Sequence, residues 1–326
     1  MTVAVDGGNS EDGASAHPGS EPLVVFHVGN FTVDGTTVTA EQQLCGRFAD
    51  HRGRIDLPAL GVLFDHIGGY PFALAGGAGV SGDGPSGSSL QARLTMSSLG
   101  HIDVDARLSA TAELAMHDDR SGVTRVEIRT GTGRVCCVGT ARSMRVGRSA
   151  DIDPHRLDAL GVPDCADAHD IRPPAVIPSS LSGRDIVAEI AAQVRPAGAI
   201  VDLLGGRVEV PVGDALDASD GPALRFVVDT APWMGNAFGT MHGGVIMTII
   251  GQACSLAGQQ MAAAGADYAV GDLSAGFYRS PAVHGATVVV DVSAVKVGRR
   301  IASLRATMAD REGTLLAEGV ADIHYG

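Results

Sequence analysis

The residues best suited to chemistry lie in Gly235-Asn-Ala-Phe-Gly-Thr-Met-His-Gly-Gly244, directly before an apolar stretch from Gly243 to Ala263 that reads as a helix. Glycines at a helix start let a substrate come close to the backbone. The first helical N–H groups have no partner inside the helix, and the helix dipole favours negative charge there. A carbonyl oxygen that gains charge during a reaction is therefore stabilised at this point. The second unusual residue is Asp65, within Gly61-Val-Leu-Phe-Asp-His-Ile-Gly-Gly69. An unpaired carboxylate in a buried helix is costly, so Asp65 serves a site, bonds to His66 or faces solvent. Plain structure offers competing readings for the rest: Gly243 and Gly244 as packing glycines, and His242 as a helix cap.

These residues sit in two halves with the same order of parts. Gly133-Arg-Val-Cys-Cys-Val-Gly139-Thr-Ala141 and Gly313-Thr-Leu-Leu-Ala-Glu-Gly319-Val-Ala321 share their glycine spacing and an alanine. Alternating β-branched segments predict strands over 24–31 and 36–43, a helix over 57–74, then strands over 90–97, 104–117, 123–130 and 134–145. The second half predicts strands over 204–212 and 223–228, the helix over 243–263, then strands over 270–279, 286–297, 301–310 and 315–324. Two strands, a long apolar helix and several further strands give an α+β class. Residues 1–21 read as a disordered tail, 22–146 as an N-terminal domain, 147–199 as a Pro-punctuated connector with a short amphipathic helix over 183–194, and 200–326 as a C-terminal domain. The Gly/Ser-rich stretch 76–89 reads as an inserted loop.

His-Gly-Gly opening a long apolar helix, with Asn six residues before the His, resembles the hotdog-fold acyl-CoA thioesterases of the phenylacetyl-CoA and medium-chain branch. Gly271-Asp-Leu-Ser-Ala-Gly-Phe-Tyr-Arg-Ser-Pro281 and Val297-Gly-Arg299 agree with it. The likeness is good over 204–326 and faint over 24–145. It implies two tandem hotdog domains, each a long central helix wrapped by a curved antiparallel sheet, paired as an intramolecular pseudo-dimer. In that family a catalytic Asp follows the His by nine residues on the same helix. Here that position is Gly251. The first half has Asp65, but nine residues before it stand Asp56-Leu57-Pro58 instead of His-Gly-Gly, and Pro58 has no N–H to donate.

Gly243 and position 251 lie about 12 Å apart along a helix, so one carbonyl cannot touch both. The family joins the helix start of one subunit to the Asp of another. By the same logic the resemblance implies one composite site from Asp65 with Asn236, His242 and Gly243, and a dead one from Gly251 with Asp56-Leu57-Pro58. In part of the family a Ser assists the Asp; aligning 90–97 with 273–280 places Ser89 there. The implied chemistry is thioester hydrolysis. The Gly243 N–H would polarise the carbonyl, and Asp65 would activate water or attack directly. His242 would orient the carbonyl or cap the helix. Arg299 and Arg300 are the nearest basic pair for coenzyme A phosphates, although exposed arginine is ordinary.

The chain of 326 residues carries a formal net charge of −13, which disfavours nucleic acid and anionic membranes as partners. The five cysteines are odd in number and irregular in spacing, which fits reduced thiols in a cytoplasmic protein. No metal pattern stands out, and no cofactor is expected beyond the coenzyme A of the substrate. The partner is then an acyl-CoA or acyl-carrier-protein thioester, and hotdog pairing makes a homo-oligomer plausible. The competing functions are a non-catalytic acyl-thioester binder and a hotdog hydratase or dehydratase. A pure binder needs no carboxylate at the helix start, and the hydratases pair His and Asp in another motif.

Overall fold

The computed structural model describes residues 21–75, 89–99, 101–146, 160–163, 174–210 and 223–326. The proposed tail, the loop before Ser89 and much of the 147–199 connector lie outside these residues. The first half runs α1 (Glu21–Val25), β1 (Val28–Asp34), β2 (Thr37–Gln43), α2 (Gly61–Ala75), β3 (Ser89–Ser98), β4 (Arg107–His117), β5 (Ser121–Thr130) and β6 (Val135–Arg145). The connector contributes α3 (Gly183–Ala191), and an unexpected short helix, α4 (Ala199–Leu203), opens the second half. The second half follows with β7 (Gly206–Glu209), β8 (Leu224–Asp229), α5 (Gly243–Met261), β9 (Tyr268–Phe277), β10 (Thr287–Val297), β11 (Ile301–Asp310) and β12 (Leu315–Tyr325).

All strands join one antiparallel sheet in the order β1-β2-β4-β5-β6-β3-β9-β12-β11-β10-β8-β7. The order mirrors itself about the β3–β9 junction, where Thr95 pairs with Ser274. Each half is therefore a six-stranded hotdog roll around its own helix, α2 or α5. The strands owe their wrap to alternation: Val288, Val290 and Val292 of β10 are buried, while their neighbours are only half-covered. The helices are apolar nearly all round because a sheet covers one side and the other helix the opposite side.

Two expected boundaries shift. The strand predicted over 24–31 begins only at Val28, because Leu23 and Phe26 bury themselves at helical spacing in and just beyond α1. The helix predicted from Leu57 opens with a 3-10 turn, Leu57–Leu60, before α2. Its Asp56 side chain caps the Leu57 N–H, and Pro58 sits at a first-turn position.

The two helices cross with backbone against backbone. A methyl group on Gly244 would lie 2.5 Å from the Val62 Cα and 2.6 Å from the Gly61 carbonyl oxygen. One on Gly61 would lie 2.8 Å from the Gly244 carbonyl oxygen. The Thr248 hydroxyl spans the crossing, 2.8 Å from the Gly244 carbonyl and 2.9 Å from that of Pro58. Neither backbone can yield cheaply, so Gly61→Ala should lower stability by about 1–3 kcal/mol, the usual cost of overpacking. Urea unfolding of the variant beside the wild type measures it; an unchanged midpoint would mean that the helices can separate freely.

Candidate active site

The helix crossing brings Asp65, one turn into α2, against the N-terminus of α5. The carboxylate is buried, and its Oδ2 accepts the Gly244 N–H at 2.7 Å. The same oxygen lies 3.0 Å from His242 Nδ1, and the Gly244 N–H is also 3.1 Å from that nitrogen. The Gly244 N–H thus faces both acceptors, and a proton carried by either Oδ2 or Nδ1 would join them directly. The other oxygen, Oδ1, is sealed from solvent with no hydrogen-bond partner.

Gly243 is pressed on this carboxylate: a methyl group there would lie 2.9 Å from Oδ1 and 3.0 Å from Oδ2. Its N–H has no acceptor among the described residues. Burial pushes the Asp65 acid up to about 7, opposed by the Gly244 hydrogen bond. Burial also pushes His242 down to about 4. At neutral pH the site thus holds a neutral imidazole beside a carboxyl group near its midpoint.

The remaining expected residues are placed differently. Asn236 holds the loop that leads into α5. Its Oδ1 accepts the Phe238 N–H at 2.9 Å and the Thr240 N–H at 3.2 Å, and its amide donates to the Met241 carbonyl at 3.4 Å. It positions His242 through the loop and makes no hydrogen bond to Asp65. Ser89 opens β3 and makes no hydrogen bond to Asp65 either. The alignment that singled it out is four residues out of register. Both halves carry a matching bulge, between Gln91 and Arg93 in β3 and between Val270 and Asp272 in β9. Ser89 therefore corresponds to Tyr268, and Gln91 to Val270.

Gln91 is the residue the sequence reading missed: its Nε2 donates to the Asp65 carbonyl oxygen at 2.8 Å. Arg299 and Arg300 are exposed at the β10–β11 turn. The Arg300 carbonyl accepts from Tyr325, which pairs with Tyr268, whose hydroxyl meets Ser255 in the second half of α5. The pair thus sits towards the far end of α5 from Gly243. His66 also went unassigned. Its ring stacks on that of His242, with centroids 5.9 Å apart and planes 16° from parallel.

The mirror-related position is filled. Pro58 lies on Gly251, where a methyl group would come within 2.6 Å of the proline ring. Asp56 is tied down by the Leu57 N–H at 2.9 Å, the Val270 N–H at 3.0 Å and the Ser255 hydroxyl at 2.9 Å. Arg52 lies 3.7 Å from it and stacks over Tyr268. Burial raises the Asp56 acid and Arg52 opposes the rise. These residues satisfy one another and leave no group over for a substrate. Among the described residues no cluster could hold a metal ion, and no helix is long and apolar enough to cross a membrane.

Removing Asp56 leaves the Leu57 and Val270 N–H groups and the Ser255 hydroxyl without their acceptor, while Arg52 keeps Asp50, so Asp56→Ala should cost about 2–4 kcal/mol. The folded fraction should keep the properties of the Asp65 site. Thermal unfolding read beside the pH dependence of the Asp65 site separates the two; an unchanged melting temperature would mean that Asp56 holds nothing together.

Residues 238–317 match the family model described as the thioesterase superfamily, the stretch that contains His242, Gly243 and Gly244. No curated protein matches the chain in sequence. Solved structures share the whole architecture. A candidate thioesterase from Novosphingobium aromaticivorans has 13% identity and a TM-score of 0.56, with 90% of this chain and 98% of that one covered. The TesB protein of Mycobacterium avium subsp. paratuberculosis has 11% identity and a TM-score of 0.53, covering 94% and 98%. A protein of unknown function with a hot dog fold from Alicyclobacillus acidocaldarius has 10% identity and a TM-score of 0.53, again over 94% and 98%.

Proposed function

We propose that this chain, a tandem hotdog protein whose second half carries the thioesterase-superfamily match, hydrolyses acyl-CoA or acyl-carrier-protein thioesters at the single composite site. The observation that carries the proposal is the contact of Asp65, from one half, with the α5 N-terminus of the other. A carboxylate without a partner for Oδ1, beside a helix start with a spare N–H, suits a reaction that consumes water and develops an oxyanion.

The thioester carbonyl oxygen takes the Gly243 N–H and faces the positive end of the α5 dipole. Asp65, with Oδ2 held by Gly244 and beside His242, keeps Oδ1 unpaired for a water molecule that enters as the substrate parts the sealed site. The water oxygen attacks the carbonyl carbon and its proton passes to Oδ1. The tetrahedral oxyanion then collapses, the C–S bond breaks, and the thiolate leaves with the proton from Asp65. Carboxylic acid and free thiol depart, and Asp65 is again a base. Asn236 acts through the loop, by fixing where His242 stands. The free thiols of Cys45, Cys136, Cys137 and Cys254 suit a reducing compartment such as the cytoplasm.

Turnover of an acyl-CoA panel by the wild type and by Asp65→Asn tests the reading. The variant should lose about 10²–10⁴-fold in kcat, the usual worth of a general base. Binding without turnover in the wild type would make the protein an acyl-thioester binder instead, and full activity in the variant would move the base elsewhere. The wild-type rate should rise with pH through about 7, as the raised Asp65 acid becomes the base.

Stability should move the opposite way. The folded state holds the Asp65 proton more tightly than the unfolded chain, so stability falls as pH rises from about 4 to about 7. Asp65→Asn removes that loss and should unfold later than the wild type at pH 8. Equal unfolding midpoints at pH 8 would mean that the carboxylate is buried without penalty.

A further inference from the structure

One turn beyond Asp65, α2 carries Gly68 and Gly69, and the sheet beneath them is polar. A side chain on Gly69 would run into the Gln91 amide. Gly68 lies over Val126 and Ala141. Thr124 follows that layer on β5, between Val126 and Gly122, and Gly122 lies under Phe72. Ser143 follows it on β6 and pairs with Gln91. Thr124 and Ser143 are both 0% exposed, yet neither hydroxyl has a hydrogen-bond partner.

The second half shows that the fold does not need these groups. Thr124 pairs with Ala141 as Leu304 pairs with Ala321, and Gln91 pairs with Ser143 as Val270 pairs with Ile323. The positions that hold Thr124, Ser143 and Gln91 in one half thus hold Leu304, Ile323 and Val270 in the other. Apolar side chains pack there without difficulty, whereas a buried hydroxyl left unpaired is destabilising. The polar set occurs only in the half that supplies Asp65, about 5 Å further along its helix.

We propose that Thr124, Ser143 and Gln91 form the acyl subsite of the composite site, and that it takes an acyl group bearing a hydroxyl or oxo oxygen rather than a plain alkyl chain. The inference rests on the thioesterase reading for the position of the carbonyl, at Gly243 and Asp65. Gln91 already spends its amide on the Asp65 carbonyl, so the two free hydroxyls do the recognising. Each can donate to and accept from an oxygen of the acyl group.

The test uses the full chain and hexanoyl-CoA analogues in which a methylene replaces the thioester sulfur, unsubstituted or carrying a hydroxyl or oxo group at successive carbons. Calorimetry gives their affinities, and the matching thioesters give turnover. At least one oxygenated analogue should bind the wild type about tenfold more tightly than the parent, the worth of one or two net hydrogen bonds. Thr124→Val with Ser143→Ala should level that difference and unfold no earlier than the wild type. Thr124→Val alone should level it in part.

Equal affinity for parent and oxygenated analogues in the wild type would overturn the subsite, as would a preference that survives both substitutions. A marked fall in stability would also overturn it, since the hydroxyls would then be paired within the fold. Preference without turnover of any thioester would keep the subsite and remove the thioesterase reading. Turnover without preference would do the reverse.

Discussion

The contact between the two helix backbones governs this molecule. Gly61 and Gly244 leave no side chain between α2 and α5, so the helices approach as closely as their main chains allow. The approach sets the distance from Asp65 to the α5 N-terminus, and with it the 2.7 Å hydrogen bond from Gly244. It also presses Pro58 onto Gly251 at the mirror-related place. One crossing thus determines two sites of opposite character. In one, a buried acid meets a spare N–H; in the other, a proline ring fills the space where an acid would stand.

The cost of the first arrangement is concentrated at one oxygen. Asp65 Oδ1 is sealed and unpaired, which is tolerable because Oδ2 is held by the Gly244 N–H and lies beside His242. Asp56, by contrast, has partners for both oxygens and a guanidinium nearby. The two buried aspartates differ in how completely the chain satisfies them. The halves share one plan, with the buried acid fully satisfied in one place and left partly unpaired in the other.

The plan itself was legible in the sequence. The glycine spacing repeated at 133–141 and 313–321 marks equivalent strands, and the mirrored sheet order follows. The split of Asp65 from His242-Gly243-Gly244 could be read by counting along the two helices, because helical spacing is fixed. Ser89 could not be placed that way. Alternating strands look alike at every even shift, so setting Leu90 against Leu273 slipped the alignment by four residues and hid Gln91. Where Arg299 and Arg300 stand could not be read either: distance along the chain says little about which end of a sheet a hairpin reaches. His66 was visible as a polar residue in an apolar helix, but its neighbour His242 comes from another part of the fold.

The β3–β9 junction makes the two halves one continuous sheet within a single chain. A site shared between separate subunits dissolves when the protein is diluted below its dissociation constant. Here the two contributors are tethered, so their encounter is intramolecular and their effective concentration does not depend on how much protein is present. Dilution cannot take the site apart. The tether also releases the halves from having to stay identical, since each needs to fit only one partner, and that partner is always the other end of its own chain.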